Sequence, residues 1–412
     1  MSYKEALVGR RGFLRDAGLV SLLAQVSWPR FLKAAPGRNG SAGGVYARLG
    51  VRPLINAAGT YTTLSACVMP REVRKAMEEA GESHVSIPEL QAAVGKRIAE
   101  LLGVEAALVT AGSAAALTLG TAACVAGKDT EKIRRLPDLE GMKTEVIIQK
   151  SHRFAYDHAV RAVGVKLVEV ESRAEMEKSI SGRTALMLFL NSADPKGQVK
   201  RAEFVEVARK TGVPCMIDAA ADTPPASHLS EYNKMGFDLV CFSGGKGLQG
   251  PQCSGLLLGR KDLIEAAFLN GSPHSDSVGR AAKVGKEEIV GLLVALELYL
   301  KRDHKAQWKD WEQQVESILG AVKSVAAVKK AEMFVPEIAN ETPHARIVWD
   351  PQILPLKRKD VARRLQEGEP RIEVRPSAED EPVVEVAVWM LQPKEYRIVA
   401  RRLREVLLSP TV

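Results

Sequence analysis

Residues 240–255 read VCFSGGKGLQGPQCSG. A largely apolar run, 238–242, enters a turn of small residues, Ser243-Gly244-Gly245. One lysine follows, Lys246, and then more glycine and a proline. A lysine in such a bend stands at the end of a strand, walled by backbone rather than by side chains. A surface lysine needs none of this, and most of the chain's 58 lysines and arginines lie in ordinary polar runs. A lysine that forms an imine with a carbonyl group does need it, because burial beside positive groups lowers its pKa and frees the amine as a nucleophile. The competing reading is a glycine-rich turn with an incidental lysine.

The sequence on either side of this turn decides the fold class. Apolar runs at 106–110, 145–149, 166–170, 184–190, 213–218 and 238–242 read as strands, and 254–258 as a further returning strand. Helical stretches such as 113–125 and 201–210 lie between several of them. Continuous apolar strands alternating with helices predict an α/β fold, a mostly parallel sheet covered on both faces. Residues 70–80 and 88–102 read as helices, each with a proline in its first turn. Residues 287–302 and 308–325 read as two long helices leading out of this body. After them come strands at 346–349, 371–375 and 383–388 and helices at 359–365 and 394–408, a small α+β unit. The expected division is 1–44 as a separate leader, 45–325 as a large domain and 326–412 as a small C-terminal domain.

In an open parallel sheet, ligands collect at the carboxyl ends of the strands. After 106–110 comes Gly112-Ser113-Ala114, opening a helix; free N–H groups and a hydroxyl there suit a phosphate. A plain N-cap serine explains the same letters. The stretch is not GxGxxG and carries no Walker lysine, so dinucleotide and P-loop readings fail. After 145–149 comes His152. After 213–217 comes Asp218, in MIDAAAD, an acid that is costly at the end of an apolar strand unless it meets a cation. After 238–242 come Ser243 and Lys246. Phosphate site, flat ring, carboxylate and lysine thus fall at the strand ends of one sheet, which is the set that pyridoxal 5'-phosphate requires.

The motifs INAAGT beginning at Ile55, MIDAAAD, FSGGKG and GRAAKVGKEEIVGLL at 279–293 carry a resemblance. From about residue 46 to 408 the chain is similar to the selenocysteine synthase-like branch of the fold-type-I pyridoxal phosphate enzymes. Within that branch it resembles most the D-glucosaminate-6-phosphate ammonia-lyase group. The resemblance implies Lys246 as the Schiff-base lysine and base at Cα, and Asp218 as the partner of the ring nitrogen. It places His152 stacked on the ring, Asn191 on the ring hydroxyl, and Gly112, Ser113, Ala114 and Ser243 around the phosphate. Arg280, Lys283 and Lys286 would add charge toward a phosphate, across a subunit boundary; a solvated basic helix start is the other reading. Arg346 or Arg375 is expected to hold a substrate carboxylate. The implied activity is α,β-elimination on an amino acid or amino-sugar acid with release of ammonia. Alternatives are a selenium transferase, an aminotransferase, a racemase, or an idle exported relative. Fold-type-I sites commonly lie between subunits, so a homodimer or higher homo-oligomer is implied. True selenocysteine synthases carry an N-terminal tRNA-binding domain, and here the expectation is that a leader-like segment takes that region.

Composition bounds the remaining possibilities. At 412 residues, 46% hydrophobic and 26% charged, the chain reads as globular and large enough for two domains. The net charge of +8 is spread along the chain, so nucleic acid is not an expected partner. Five cysteines with no CxxC pair read as small core residues, not as a zinc or disulfide framework, and no metal is expected. At the N-terminus, Arg10-Arg11-Gly12-Phe13-Leu14 precedes a mildly apolar stretch at 17–28, too short to span a bilayer as a permanent helix. It resembles a twin-arginine export signal, which predicts a periplasmic location. The alternative is an amphipathic helix packed on a cytoplasmic enzyme.

Overall fold

A computed structural model describes residues 44–377 and 380–409. The leader expected at 1–44 lies outside these residues apart from Gly44. Twelve strands follow in chain order: β1 Leu54–Ala57, β2 Ala106–Thr110, β3 Glu145–Gln149, β4 Lys166–Val170, β5 Thr184–Leu190 and β6 Cys215–Asp218. Then come β7 Leu239–Ser243, β8 Gly255–Gly259, β9 Val328–Phe334, β10 His344–Trp349, β11 Arg371–Val374 and β12 Val383–Ala387.

Seven of them form one sheet in the order β2-β8-β7-β6-β5-β3-β4. The pairs β3–β4, β3–β5, β5–β6 and β6–β7 are parallel. Strand β8 runs antiparallel to both its neighbours. The strands are apolar throughout because both faces are covered. One face packs Phe189, Phe204, Phe237 and Phe242 against helices that include Ile98 and Leu296. The other packs Ile148, Leu186 and Leu257 against the small-residue helix Ser113–Ala126. Alanines and Gly120 let that helix lie close; a Cβ on Gly120 would stand 2.7 Å from the sulfur of Met216.

A second core lies around the antiparallel sheet β12-β10-β9, with Trp349, Ile347, Val384 and Val386 fully buried. It draws residues from both sides of position 325. Ile55 and Ala57 of β1 and Val315, Ile318 and Val322 of the helix His304–Val322 belong to it. Strand β1 pairs in parallel with β11, Leu54 opposite Arg371 through Ala57 opposite Val374. The N-terminal end of the globular chain is therefore stitched into the C-terminal body. Strand β9 has no counterpart among the sequence expectations. Its sequence VKKAEMF puts charged residues on a half-exposed strand paired on one side only, which hides the alternation.

Two contacts bring the second body to the lysine turn. Asn56 closes the INAAGT turn: its Oδ1 accepts from the N–H groups of Ala58 (3.1 Å) and Gly59 (3.0 Å), and its Nδ2 donates to Gly59 O (2.9 Å). The segment that follows meets the loop after Lys246, where Gln252 Nε2 donates to Thr62 O at 2.9 Å. On the other side, Asn340 N–H donates to Ala221 O at 2.8 Å. Among the described residues no helix is long and apolar enough to cross a membrane.

Candidate functional site

The lysine loop connects β7 to β8, with Ser243 opposite Gly255 in the ladder. Gly244 N–H donates to Ser254 O (2.9 Å), Gly250 N–H to Gly244 O (2.8 Å) and Gln249 N–H to Lys246 O (2.9 Å). The glycines are required by close approach. A Cβ would stand 2.2 Å from Ser254 Oγ at Gly244, 2.5 Å from Gln252 Cα at Gly245 and 2.0 Å from Thr223 O at Gly247. Lys246 thus carries the one side chain between Gly244 and Gly247. Burial lowers the pKa of its amine, against the opposing pull of Asp218, Asp222 and Cys241.

Asp218 is the last residue of β6 and is 7% exposed. Its Oδ1 accepts from Ala220 N–H at 3.0 Å and from the Cys241 thiol at 3.5 Å. Among the described residues no hydrogen bond reaches its Oδ2. Burial raises its pKa, and the Ala220 N–H and Lys246 only partly oppose this. Asp218 and Lys246 share one cavity of about 270 Å³, also lined by Phe154, Tyr156, Ser192 and Asp222. A second hollow, of about 750 Å³, runs along the outer edge of β2. Its one buried polar side chain, Gln91, is engaged by the backbone of Val109 (2.8 and 3.3 Å). The convergent chemistry is in the smaller cavity.

Two residues expected at the ring lie away from this cavity. His152 is fully buried, its ring edge-on to Phe189 with centroids 4.4 Å apart. Its Nδ1 accepts from Leu190 N–H (3.1 Å) and its Nε2 meets Gln149 Nε2 (3.2 Å). Burial pushes its pKa down to about 4, so it is a neutral core imidazole with no face on the cavity. The aromatic wall is Phe154 and Tyr156 instead. That segment is pinned by buried Asp157, which pairs with Arg153 (2.6 Å) and Arg161 (2.9 Å). Asn191 is also fully buried and does not line the cavity, although Leu190 and Ser192 on either side of it do. Its Nδ2 donates to Asp222 Oδ2 (2.5 Å) and Tyr232 Oη (2.9 Å). Asp222 is the residue that the sequence reading missed, although it closes the quoted motif MIDAAAD.

The anion cup is assembled across three strands. Gly112 has φ +86° and caps the helix Ser113–Ala126 without a side-chain bond, so the first-turn N–H groups have no partner in the helix. Thr110 Oγ1 donates to Gly112 O at 2.9 Å and fixes the turn. Gly255 lies opposite both Thr110 and Ser243. A Cβ on Gly255 would stand 2.8 Å from Ser113 N, so Gly112, Ser113 and Ser243 surround that glycine. Ala114 follows in the first turn. Fourteen residues of helix add a dipole favouring an anion here.

The donor set fits pyridoxal phosphate: a buried amine whose pKa is lowered by desolvation, a carboxylate oxygen without a hydrogen bond among the described residues for a protonated ring nitrogen, and first-turn N–H groups without a partner in the helix for a phosphate. The basic residues divide. Lys286 is engaged within the chain by Ala80 O (2.5 Å) and Glu287 (2.6 Å), which removes it from the expected phosphate set. Arg280 and Lys283 are exposed. Arg346 and Arg375 both face Glu385, at 2.7 and 3.5 Å, and neither lines the cavity, so neither is placed to hold a substrate carboxylate here.

Comparison with known proteins places this geometry in context. The family model described as L-seryl-tRNA selenium transferase matches residues 54–310. A 5'-C-glycyluridine monooxygenase-decarboxylase of a Streptomyces species is 30% identical over 385 residues, covering 90% of this chain and 94% of that protein. The D-glucosaminate-6-phosphate ammonia lyase of Salmonella typhimurium is 29% identical, covering 88% and 97%. An L-seryl-tRNA(Sec) selenium transferase of Moorella thermoacetica is 29% identical over 62% of this chain and 57% of its own. A solved D-glucosaminate-6-phosphate ammonia-lyase superposes with a TM-score of 0.77 at 28% identity, covering 89% of this chain and 98% of that one. A NifS-like protein (TM-score 0.57, 14% identity, covering 86% and 99%) and SPT with PLP (0.54, 14%, 86% and 87%) share the fold. The architecture is that of the fold-type-I pyridoxal phosphate enzymes.

Because a Cβ at Gly247 meets a backbone carbonyl at 2.0 Å, Gly247→Ala has to move the loop. The expected cost is about 1–3 kcal/mol, read as a lowered thermal midpoint. An unchanged midpoint would mean that the loop is slack and that Lys246 is not rigidly presented.

Proposed function

The chain belongs to the L-seryl-tRNA selenium transferase family and is a pyridoxal phosphate-dependent enzyme; on that footing we propose an ammonia-lyase type reaction. The substrate class is an amino acid or amino-sugar acid with a leaving group on Cβ. The observation that carries the reading is that Lys246 and Asp218 line one cavity at the strand ends. When bound, pyridoxal phosphate supplies an electron sink that makes the Cα proton of an amino acid acidic. The residues that would hold it are Lys246 through its amine, Asp218 through Oδ2, and Gly112, Ser113, Ala114 and Ser243 around the phosphate. Lys246 Nζ, whose pKa burial lowers, takes the Cα proton. Asp218 stays ionised once its free oxygen meets a cation, because charge pairing then opposes the burial that otherwise raises its pKa. Phe154 and Tyr156 supply the aromatic side chains of the cavity lining.

Elimination is preferred to selenium transfer on the extent of similarity. The match spans 97% of the ammonia lyase but 57% of the selenium transferase. Arg280 and Lys283, exposed and without an ion pair among the described residues, would serve a phosphate on the substrate or cofactor of a neighbouring subunit. This reading requires a symmetric oligomer, which mass photometry would detect as a multiple of the 44.7 kDa chain. The paired arginines Arg10-Arg11 support export to the periplasm. Replacing both by lysine should leave the protein in the cytoplasmic fraction; unchanged fractionation would remove the export reading.

Lys246→Ala should abolish the borohydride-reducible link to the cofactor and lower ammonia release by at least about a hundredfold, the scale of losing a general base. Asp218→Asn should keep the cofactor yet lower kcat by roughly a hundredfold, the scale of losing one charge-stabilising partner. Full activity and an intact reducible link in Lys246→Ala would refute the assignment. A screen of β-hydroxy and sugar amino acids for ammonia release identifies the substrate, and amino exchange on adding a 2-oxo acid would point to an aminotransferase instead.

A further inference from the structure

The cavity holds a second carboxylate that the scheme above does not use. Asp222 is 2% exposed and lines the same 270 Å³ hollow as Lys246 and Asp218. Its position is over-determined. Its N–H donates to Ala219 O (3.1 Å), and its carbonyl meets His228 Nδ1 (2.9 Å). Its Oδ2 accepts from Asn191 Nδ2 (2.5 Å) and from Tyr232 Oη (3.3 Å), both on fully buried side chains. Its Oδ1 accepts no hydrogen bond among the described residues. Its side chain is held by an amide and a phenol, and no arginine or lysine forms an ion pair with it among the described residues, although the Lys246 amine lies in the field of both Asp218 and Asp222.

We propose that Asp222 is the acid that protonates the departing β-oxygen of the substrate. This inference rests on the elimination reading. Two carboxyl groups in one site, held in different surroundings, divide into one that stays ionised and one that carries a proton. The Ala219-Ala220-Ala221 turn between them puts both acids on one hollow and adds no bulk. Burial pushes the pKa of Asp222 up to about 6, and the charge of Asp218 pushes the same way. The groups that oppose it are Asn191, His228 and Tyr232, together with the Lys246 amine on the same cavity when it is charged. Arg201 lies behind Tyr232 at 5.9 Å from its ring, and Cys241 beyond Asp218 has its thiol pushed far up. Asp222 is therefore easier to protonate than an ordinary carboxylate, and the anchoring of Oδ2 leaves Oδ1 free of hydrogen bonds among the described residues to carry that proton.

The step balances as follows. The Cα proton passes to Lys246 Nζ and the Cα–H electron pair becomes the Cα=Cβ bond. The Cβ–O bond breaks with its pair leaving on oxygen, and the Asp222 proton joins that oxygen, so water departs. Asp222, left as carboxylate, regains a proton from solvent. The released enamine hydrolyses to a 2-oxo acid and ammonia.

The test compares leaving groups. Hydroxide needs a proton to leave and chloride does not. In the holoenzyme, Asp222→Asn should lower ammonia release from the β-hydroxy substrate by at least about a hundredfold, while β-chloroalanine turnover changes by less than about threefold. Exchange of the Cα proton with deuterium should persist. Tyr232→Phe, which removes one anchor, should slow the β-hydroxy substrate alone and covers the case in which Asp222→Asn does not fold. A readout without turnover is infrared spectroscopy of the cofactor-free protein: a protonated-carboxyl band titrating around pH 6 in the wild type should vanish in Asp222→Asn and persist in Asp218→Asn, whose own buried carboxyl gives a separate band. Equal losses on both substrates, or no loss on either, would overturn the role of Asp222 alone. A wild type that releases ammonia from neither substrate would overturn the elimination reading, and the acid with it.

Discussion

An amine and a carboxyl group share one small cavity, and their mutual attraction does not compensate for the water they have lost. Burial drives Lys246 toward the free amine and Asp218 toward the acid, although each sits in the field of the other. A cavity in this condition is poised for a ligand that brings its own charges. A cationic ring nitrogen would restore the Asp218 carboxylate, and a carbonyl would engage the uncharged lysine. The first-turn N–H groups at Ser113 and Ala114 extend the same logic to an anion. The elements around these groups serve chiefly to hold that cavity dry and in shape.

Backbone packing does that holding. Three glycines around Lys246 stand where any Cβ would collide with Ser254, Gln252 or Thr223. The loop is thus clamped between its own return strand and the turn that carries Asp222 and Thr223. The second body adds two braces, Gln252 to Thr62 and Asn340 to Ala221. One brace acts on the lysine loop and the other on the acid turn. The C-terminal body thus touches both the lysine loop and the acid turn, and Cys67, packed against the second core, adds a thiol contact to Gly250 O at 3.5 Å. Because β1 is paired with β11, the chain's N-terminal strand belongs to that body as well.

The strand ends of the large sheet were legible because buried parallel strands leave unbroken apolar runs, each closed by a chemically distinctive residue. Asp218, Lys246, Ser243 and the Gly112-Ser113 turn could be found that way. His152 obeys the same positional rule and departs from the role it predicts. Its place after β3 was readable, but its orientation depends on Leu190, Gln149 and Phe189, which arrive from other strands. Asn191 turns inward for the same reason, drawn to Asp222 and Tyr232. The cation–π contact and ion pair that occupy Arg346, with Phe334 at 4.1 Å and Glu385 at 2.7 Å, join three strands and leave no trace in local sequence.

Sequence alone determined the alternation of elements, the class of sheet and the place of Asp218 and Lys246 at the strand ends, because periodicity, glycine spacing and a charged residue at the end of an apolar run are local properties. Tertiary structure decided which side chains face the cavity. It exchanged His152 for Phe154 and Tyr156 as the wall, engaged Lys286 elsewhere, and brought Asp222 in as a second acid. Those outcomes depend on which donors and acceptors, distant in the chain, meet within hydrogen-bond reach once the sheet closes, and buried polar groups must find such partners wherever the fold supplies them.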